Sequence, residues 1–166
     1  GGKRLRPLLC LMTAQSLSGN FKKALNCSIS IELLHIFSLI HDDIMDNDSL
    51  RHGDLTIHKK WNLSIGILSG DAVLALAFNG LNKVDNNIKE LFNSALIAVC
   101  EGQALDLEHE NQNNVSIKEY LYMINLKTSH MIGLCSRLGA IIAGVDKNTE
   151  MIMNQFGMLL GRAFQI

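Results

Sequence analysis

Residues 32–46 read Glu32-Leu33-Leu34-His35-Ile36-Phe37-Ser38-Leu39-Ile40-His41-Asp42-Asp43-Ile44-Met45-Asp46, an apolar run that ends in acids. Apolar positions Ile29, Leu33, Ile36, Phe37 and Ile40 recur at helical spacing, so the run predicts a helix. On a helix, residues four or seven apart share a face. His35, Asp42 and Asp46 therefore line one stripe, with Asp43 about a third of a turn off it. Stacked carboxylates repel unless a cation lies between them, and a helix C-terminus disfavours negative charge. Hard oxygen ligands of this kind suit Mg2+, which keeps several waters and shares its shell with substrate phosphates. A solvated acidic helix end fits the same residues equally well. Arg51-His52-Gly53 follows closely. A cation there suits a phosphate oxygen held between metal and guanidinium. It suits a plain ion pair from Arg51 to Asp46 or Asp48 as well.

Outward from this run the chain reads as helix after helix. Pro7 is the single proline, and Leu, Ile, Ala and Met are frequent, which favours long uninterrupted helices. The pattern predicts helices over Arg6 to about Gly19, closed by Gly19-Asn20, and over Lys22 to about Asp46. Asn47 to Lys60 is polar, holds Gly53, and reads as a loop or a short broken turn. Further helices are expected over Trp61 to Val84, Ile88 to Glu110, Ile117 to about Ala143 with a break near Gly133, and Thr149 to the end. Ser116 and Glu119 fit a capping box. No strand alternation, repeat or interdomain linker is visible. The expectation is one all-α bundle across residues 1–166.

Composition narrows the function. The 166 residues are 48% hydrophobic and 19% charged, enough for a core and a charged surface. Lys plus Arg is 15 and Asp plus Glu is 16, for a net charge of −1. A nucleic-acid binder would carry a basic excess, so no nucleic-acid partner is expected. Cys10, Cys27, Cys100 and Cys135 have no metal-site spacing and read as reduced buried thiols. The most apolar stretch, Ile65 to Phe78, contains Asp71 and is too short to span a bilayer. No signal peptide is visible, and a cytoplasmic location is expected. The chain begins without Met and ends on Gln165-Ile166. Both ends read as cuts in a longer protein.

Gly1-Gly2-Lys3-Arg4-Leu5-Arg6-Pro7 sets cations and glycines at a helix start, where backbone amides attract anions. GGKRLRP, then ELLHIFSLIHDDIMDND, then RHG, resembles the trans-polyprenyl diphosphate synthases. Gly70-Asp71-Ala72, Gly102-Gln103 with Asp106-Leu107, Lys127-Thr128, and Gly161-Arg162-Ala163-Phe164-Gln165-Ile166 extend the match in order over the whole chain. The resemblance implies an isoprenoid synthase-type helical bundle, incomplete at both termini. It implies head-to-tail condensation of isopentenyl diphosphate with an allylic diphosphate, assisted by Mg2+. On that resemblance Asp42, Asp43 and Asp46 form the first aspartate-rich, metal-binding motif. Arg51 grips the allylic diphosphate. Lys3, Arg6 and His35 bind isopentenyl diphosphate. Lys127, Thr128 and Gln165 line the allylic substrate. Asp42, Asp46, Arg51 and Lys127 would carry the catalytic load on the leaving diphosphate. A homodimer is implied too.

The chain departs from the family pattern twice. His52 stands where the family usually has a second Arg that contacts isopentenyl diphosphate, so weaker binding of that substrate is expected. The second aspartate-rich motif would follow Gln165-Ile166, so residues 1–166 alone are expected not to turn over. Phe37, five residues before Asp42, and Ser38 fall where the family sets product length. An aromatic ring there implies a product of farnesyl or geranylgeranyl size, and Phe37→Ala should lengthen it. Phe37 as ordinary core packing is the competing reading. A non-catalytic partner subunit is the competing function, but such subunits tend to lose site residues that this chain keeps. A terpene cyclase would not need the GGKRLRP set.

Overall fold

The computed structural model describes residues 2–18 and 20–166. Gly1 and Gly19, both used in the sequence reading, lie outside the described residues. Among the described residues eight α-helices dominate: α1 (Leu5–Ser18), α2 (Leu25–Met45), α3 (Ile57–Lys60), α4 (Leu63–Asn79), α5 (Asn86–Glu110), α6 (Ile117–Ile124), α7 (His130–Ala143) and α8 (Lys147–Gln165). α2 lies between α1 and α4, while α7 packs on α1, α5 and α8. The core joins Ile31 and Leu34 of α2 to Phe92 of α5 and Leu138 of α7, all fully buried. The helical run Phe21–Met45 is long and apolar enough to cross a membrane by length and composition, and it is this run rather than Ile65–Phe78 that meets that test. Ile31 and Leu34 on this run are fully buried in the bundle core.

Local chemistry sets the helix ends. Asn20 caps a 3-10 turn, Phe21–Ala24, that leads into α2. Ser116 and Glu119 form the expected capping box at α6. Asp146 accepts from the Asn148 and Thr149 amides, so α8 starts at Lys147 and not at Thr149. Gly144 closes α7 with φ +77°, a left-handed value that glycine adopts without strain.

Two expectations are corrected. The polar segment 47–60 is not a plain loop. It folds as a two-stranded antiparallel hairpin, β1 (Leu50–Arg51) and β2 (Asp54–Leu55), followed by α3. His52 and Gly53 link the strands with φ +53° and +90°, the sign pattern of a two-residue type I′ turn. There is also no break near Gly133. The irregularity lies upstream, where Asn125–Ser129 winds as a π-helical turn between α6 and α7. Such turns widen the helix locally and redirect the side chains they carry. Here those include Lys127 and Thr128.

Candidate active site

A cavity of about 520 Å³ runs between α2, α5 and the π turn. Asp42, His35, Phe37 and Ser38 face it from α2, and Lys127 and Thr128 from the π turn. Arg6 of α1 and Gln165 of α8 complete the polar part. Val99, Leu107 and Met131 give it an apolar wall. Six of the sequence-expected residues thus reach one space from four separate elements, together with the two expected to set product length.

Lys127 is central to the polar end. Its Nζ lies 3.4 Å from Asp42 Oδ1 and donates to Asp106 Oδ2. Burial pulls the Lys127 pKa down, but the hydrogen bond to Asp106 and the charge of Asp42 outweigh it and raise the pKa overall. Lys127 therefore stays a cation. It reaches this position because α5 presents Gly102 to the π turn. A Cβ there would fall 2.3 Å from the Lys127 backbone nitrogen and 2.6 Å from its Cα.

The acidic run divides by face, as its spacing requires. Asp42 turns toward the cavity. Asp43 is buried and takes the Arg51 guanidinium, with Nε at 2.6 Å. The ion pair expected from Arg51 to Asp46 or Asp48 is therefore made first with Asp43. Asp48 is a longer contact at 3.4 Å, and Asp42 lies at 4.0 Å. The I′ turn aims Arg51 back at α2. The hydrogen bond to Asp43, with its charge, outweighs burial and raises the Arg51 pKa further. Asp46 is exposed at the α2 C-terminus. Burial, then the charge of Asp42, raises its pKa despite the opposing charge of Lys127.

Among the described residues, no three His, Cys, Asp or Glu side chains gather into a metal-holding group. Of the three acids expected to bind metal, Asp43 is the one paired with Arg51. Asp42 and Asp46 stand one helical turn apart at the C-terminal end of α2. Two carboxylates with the rest of the shell left to water and phosphate oxygens fit the donor chemistry of Mg2+.

A second cationic group lies at the start of α1. Arg6 Nη1 donates to His35 Nε2 at 3.0 Å. A guanidinium can only donate, so His35 is neutral and carries its proton on Nδ1. Burial, with Arg6, Arg4, Arg51 and His52 around it, holds the His35 pKa down at about 3. Arg6 Nε is buried with no hydrogen-bond partner, which leaves a donor for an anion. Arg4, at φ +52°, pairs with Glu32 of α2 and ties the N-terminal segment down. Lys3 is exposed and outside the cavity lining. His52 is exposed, and Gly2 stands close to its Nε2.

Thr128 donates to Gln165 Oε1 at 3.2 Å, joining the π turn to α8. Phe37 is buried and packs edge-on against His41. Ser38 is tied back to the His35 carbonyl at 2.8 Å. Three thiols are buried as expected, but Cys100 is exposed and lines the cavity. The sequence reading assigned no role to Asp106, Gln103, His41 or Arg4. Asp106 had one available signal: it lies one helical turn beyond Gly102, where a cation packed on that glycine needs a counter-charge.

The polyprenyl synthetase family model matches residues 1–166. The chain belongs to that family. It is 41% identical over 174 positions to the geranylgeranyl diphosphate synthase of Sulfolobus acidocaldarius, covering 100% of this chain and 53% of that protein. It is 36% identical to the geranylfarnesyl diphosphate synthase of Natronomonas pharaonis, covering 100% of this chain and 55% of that protein. A crystal structure of a geranylgeranyl pyrophosphate synthase superposes with a TM-score of 0.96 at 46% identity, covering 99% of this chain and 52% of that one. The geranylgeranyl pyrophosphate synthetase of the archaeon Geoglobus acetivorans also gives 0.96, at 36% identity and with 99% and 56% coverage. The chain spans about half the length of the curated relatives it matches. The fold is thus the isoprenoid synthase type.

Proposed function

We propose that the whole protein is a prenyltransferase that condenses isopentenyl diphosphate with an allylic diphosphate to a short-chain prenyl diphosphate. The observation that carries this is the meeting of Asp42 and Lys127, 3.4 Å apart, at the polar end of an apolar cavity. Carboxylate for a divalent cation and ammonium for phosphate oxygens then share one point, with room for a hydrocarbon chain behind them.

Asp42 and Asp46 would hold Mg2+. That ion, when bound, supplies Lewis-acid stabilisation of the diphosphate oxygens. Lys127 and Arg51 add fixed positive charge where negative charge develops as the allylic C–O bond ionises. Asp43 and Asp106 hold those two cations in place. Thr128 and Gln165, joined by a hydrogen bond, line the allylic substrate. Arg6, oriented by neutral His35, and Lys3 bind the diphosphate of isopentenyl diphosphate, with His52 beside them. The double bond of that substrate attacks the allylic cation, forming the new C–C bond, and a proton passes to the released diphosphate to restore the alkene. Val99, Leu107 and Met131 keep water from the cation. Phe37 limits chain growth, with Ser38 beside it. A cytoplasmic homodimer is part of this reading.

In the full-length protein Asp42→Ala should lower the condensation rate on the order of 100-fold or more, as for loss of a major transition-state charge contact. An Asp42→Ala variant with wild-type turnover would refute the assignment.

A further inference from the structure

We propose that His41 is a specificity-determining residue: its ring, seated in a notch at Gly70, backs Phe37 and fixes how far the cavity extends for the growing chain. The inference rests on the prenyl transfer proposed above. His41 and Phe37 both line the cavity. Their ring centroids are 4.7 Å apart at 60°, an edge-to-face contact. The far side of the imidazole is boxed by α4. Its Nε2 donates to the Ile67 carbonyl at 3.3 Å and lies 3.7 Å from Asp71 Oδ1. A Cβ on Gly70 would fall 2.2 Å from Nε2 and 2.4 Å from Cδ2. The ring therefore occupies the space that any side chain at Gly70 would fill. No α4 residue lines the cavity itself, so α4 acts on it through His41.

Two substitutions then push the cavity in opposite directions. His41→Ala removes the backing of Phe37 and opens volume beside it. Gly70→Ala drives the imidazole out of its notch toward Phe37 and the cavity, because α4 backbone closes the other side. A general loosening of the α2–α4 contact would not give opposite signs. Gly66→Ala serves as the control, since its Cβ would meet Ile44 Cδ1 at 2.9 Å on the same interface.

The test uses full-length protein with isopentenyl diphosphate and an allylic diphosphate, and reads product length by chromatography. His41→Ala should move the main product up by at least one isoprene unit. Gly70→Ala should move it down, and Gly66→Ala should leave it in place. Unchanged length with His41→Ala overturns the inference, as does a longer product with Gly70→Ala or an equal shift with Gly66→Ala. If Gly70→Ala does not fold, His41→Ala decides alone. A wild-type protein that forms no prenyl diphosphate defeats the functional reading and this inference with it. A wild-type product that His41→Ala leaves unaltered defeats the inference only.

Discussion

Gly102 of α5 touches the backbone of Lys127 so closely that a Cβ would lie 2.3 Å from its nitrogen. This contact places the π turn against α5 and the Lys127 ammonium between Asp42 and Asp106. The obstructing atoms are backbone, so a side chain here cannot be absorbed by a rotamer change. Gly102→Ala should cost about 1–3 kcal/mol of stability through overpacking. The shift of Lys127 should lower kcat on the order of 100-fold, as displacements near 1 Å do. Chemical denaturation and steady-state kinetics on the same variant check both numbers.

Arg51 neutralises Asp43, which is buried. Arg51→Lys keeps the charge but loses the planar fork that reaches Asp43, Asp48 and Asp42 together. The loss should be about 1.5–3 kcal/mol, the range for a hydrogen bond to a charged group. The lower end is expected because the Arg51 side chain is 33% exposed. Urea unfolding of the two proteins measures it.

His52 occupies the φ +53° position of the hairpin turn. Arginine there faces the same backbone demand, so the hairpin should survive the change. His52→Arg should lower KM for isopentenyl diphosphate by about tenfold, the equivalent of about 1.4 kcal/mol from one charged contact. KM for the allylic substrate should stay where it is. Equal KM values for isopentenyl diphosphate in the two proteins would contradict the role given to position 52.

Burial and the neighbouring cations lower the His35 pKa from 6.5 to about 3 in the folded state. Between those values the unfolded chain binds the proton and the folded one does not. Stability therefore rises with pH across this window, and the contribution of neutral His35 is lost as pH falls toward 3. His35→Gln removes this group from the acid limb of the stability curve. The difference between the proteins should grow from pH 3 to pH 6.5 and stay flat above it, as read by denaturation at a series of pH values.

The helices were legible because their apolar positions follow the helical period over many turns. The stripe of His35 and Asp42 followed from the same geometry, as did the capping box at Ser116. Strands of two residues carry no alternation, so the hairpin was hidden, although His52-Gly53 fits an I′ turn. The π turn left no mark either, since Ile117 to Ala143 is uniformly helix-compatible. Gly133 resembled a breaker but is a packing position, where a Cβ would meet Met158 Cγ at 2.6 Å. Pairing was the least legible layer. Spacing put Asp43 off the stripe, but only the fold brought Arg51 to it, and only the Gly102 contact explains Asp106.

On the function proposed here, this cavity ionises an allylic diphosphate with the help of a divalent cation held at Asp42 and Asp46. The direct measurement is incorporation of labelled isopentenyl diphosphate by the full-length protein, with Mg2+ and with a chelator. Labelled prenyl diphosphate of farnesyl or geranylgeranyl size, formed only with Mg2+, is the expected result. Absence of product from the folded full-length protein, or product that forms equally well in the chelator, would contradict it.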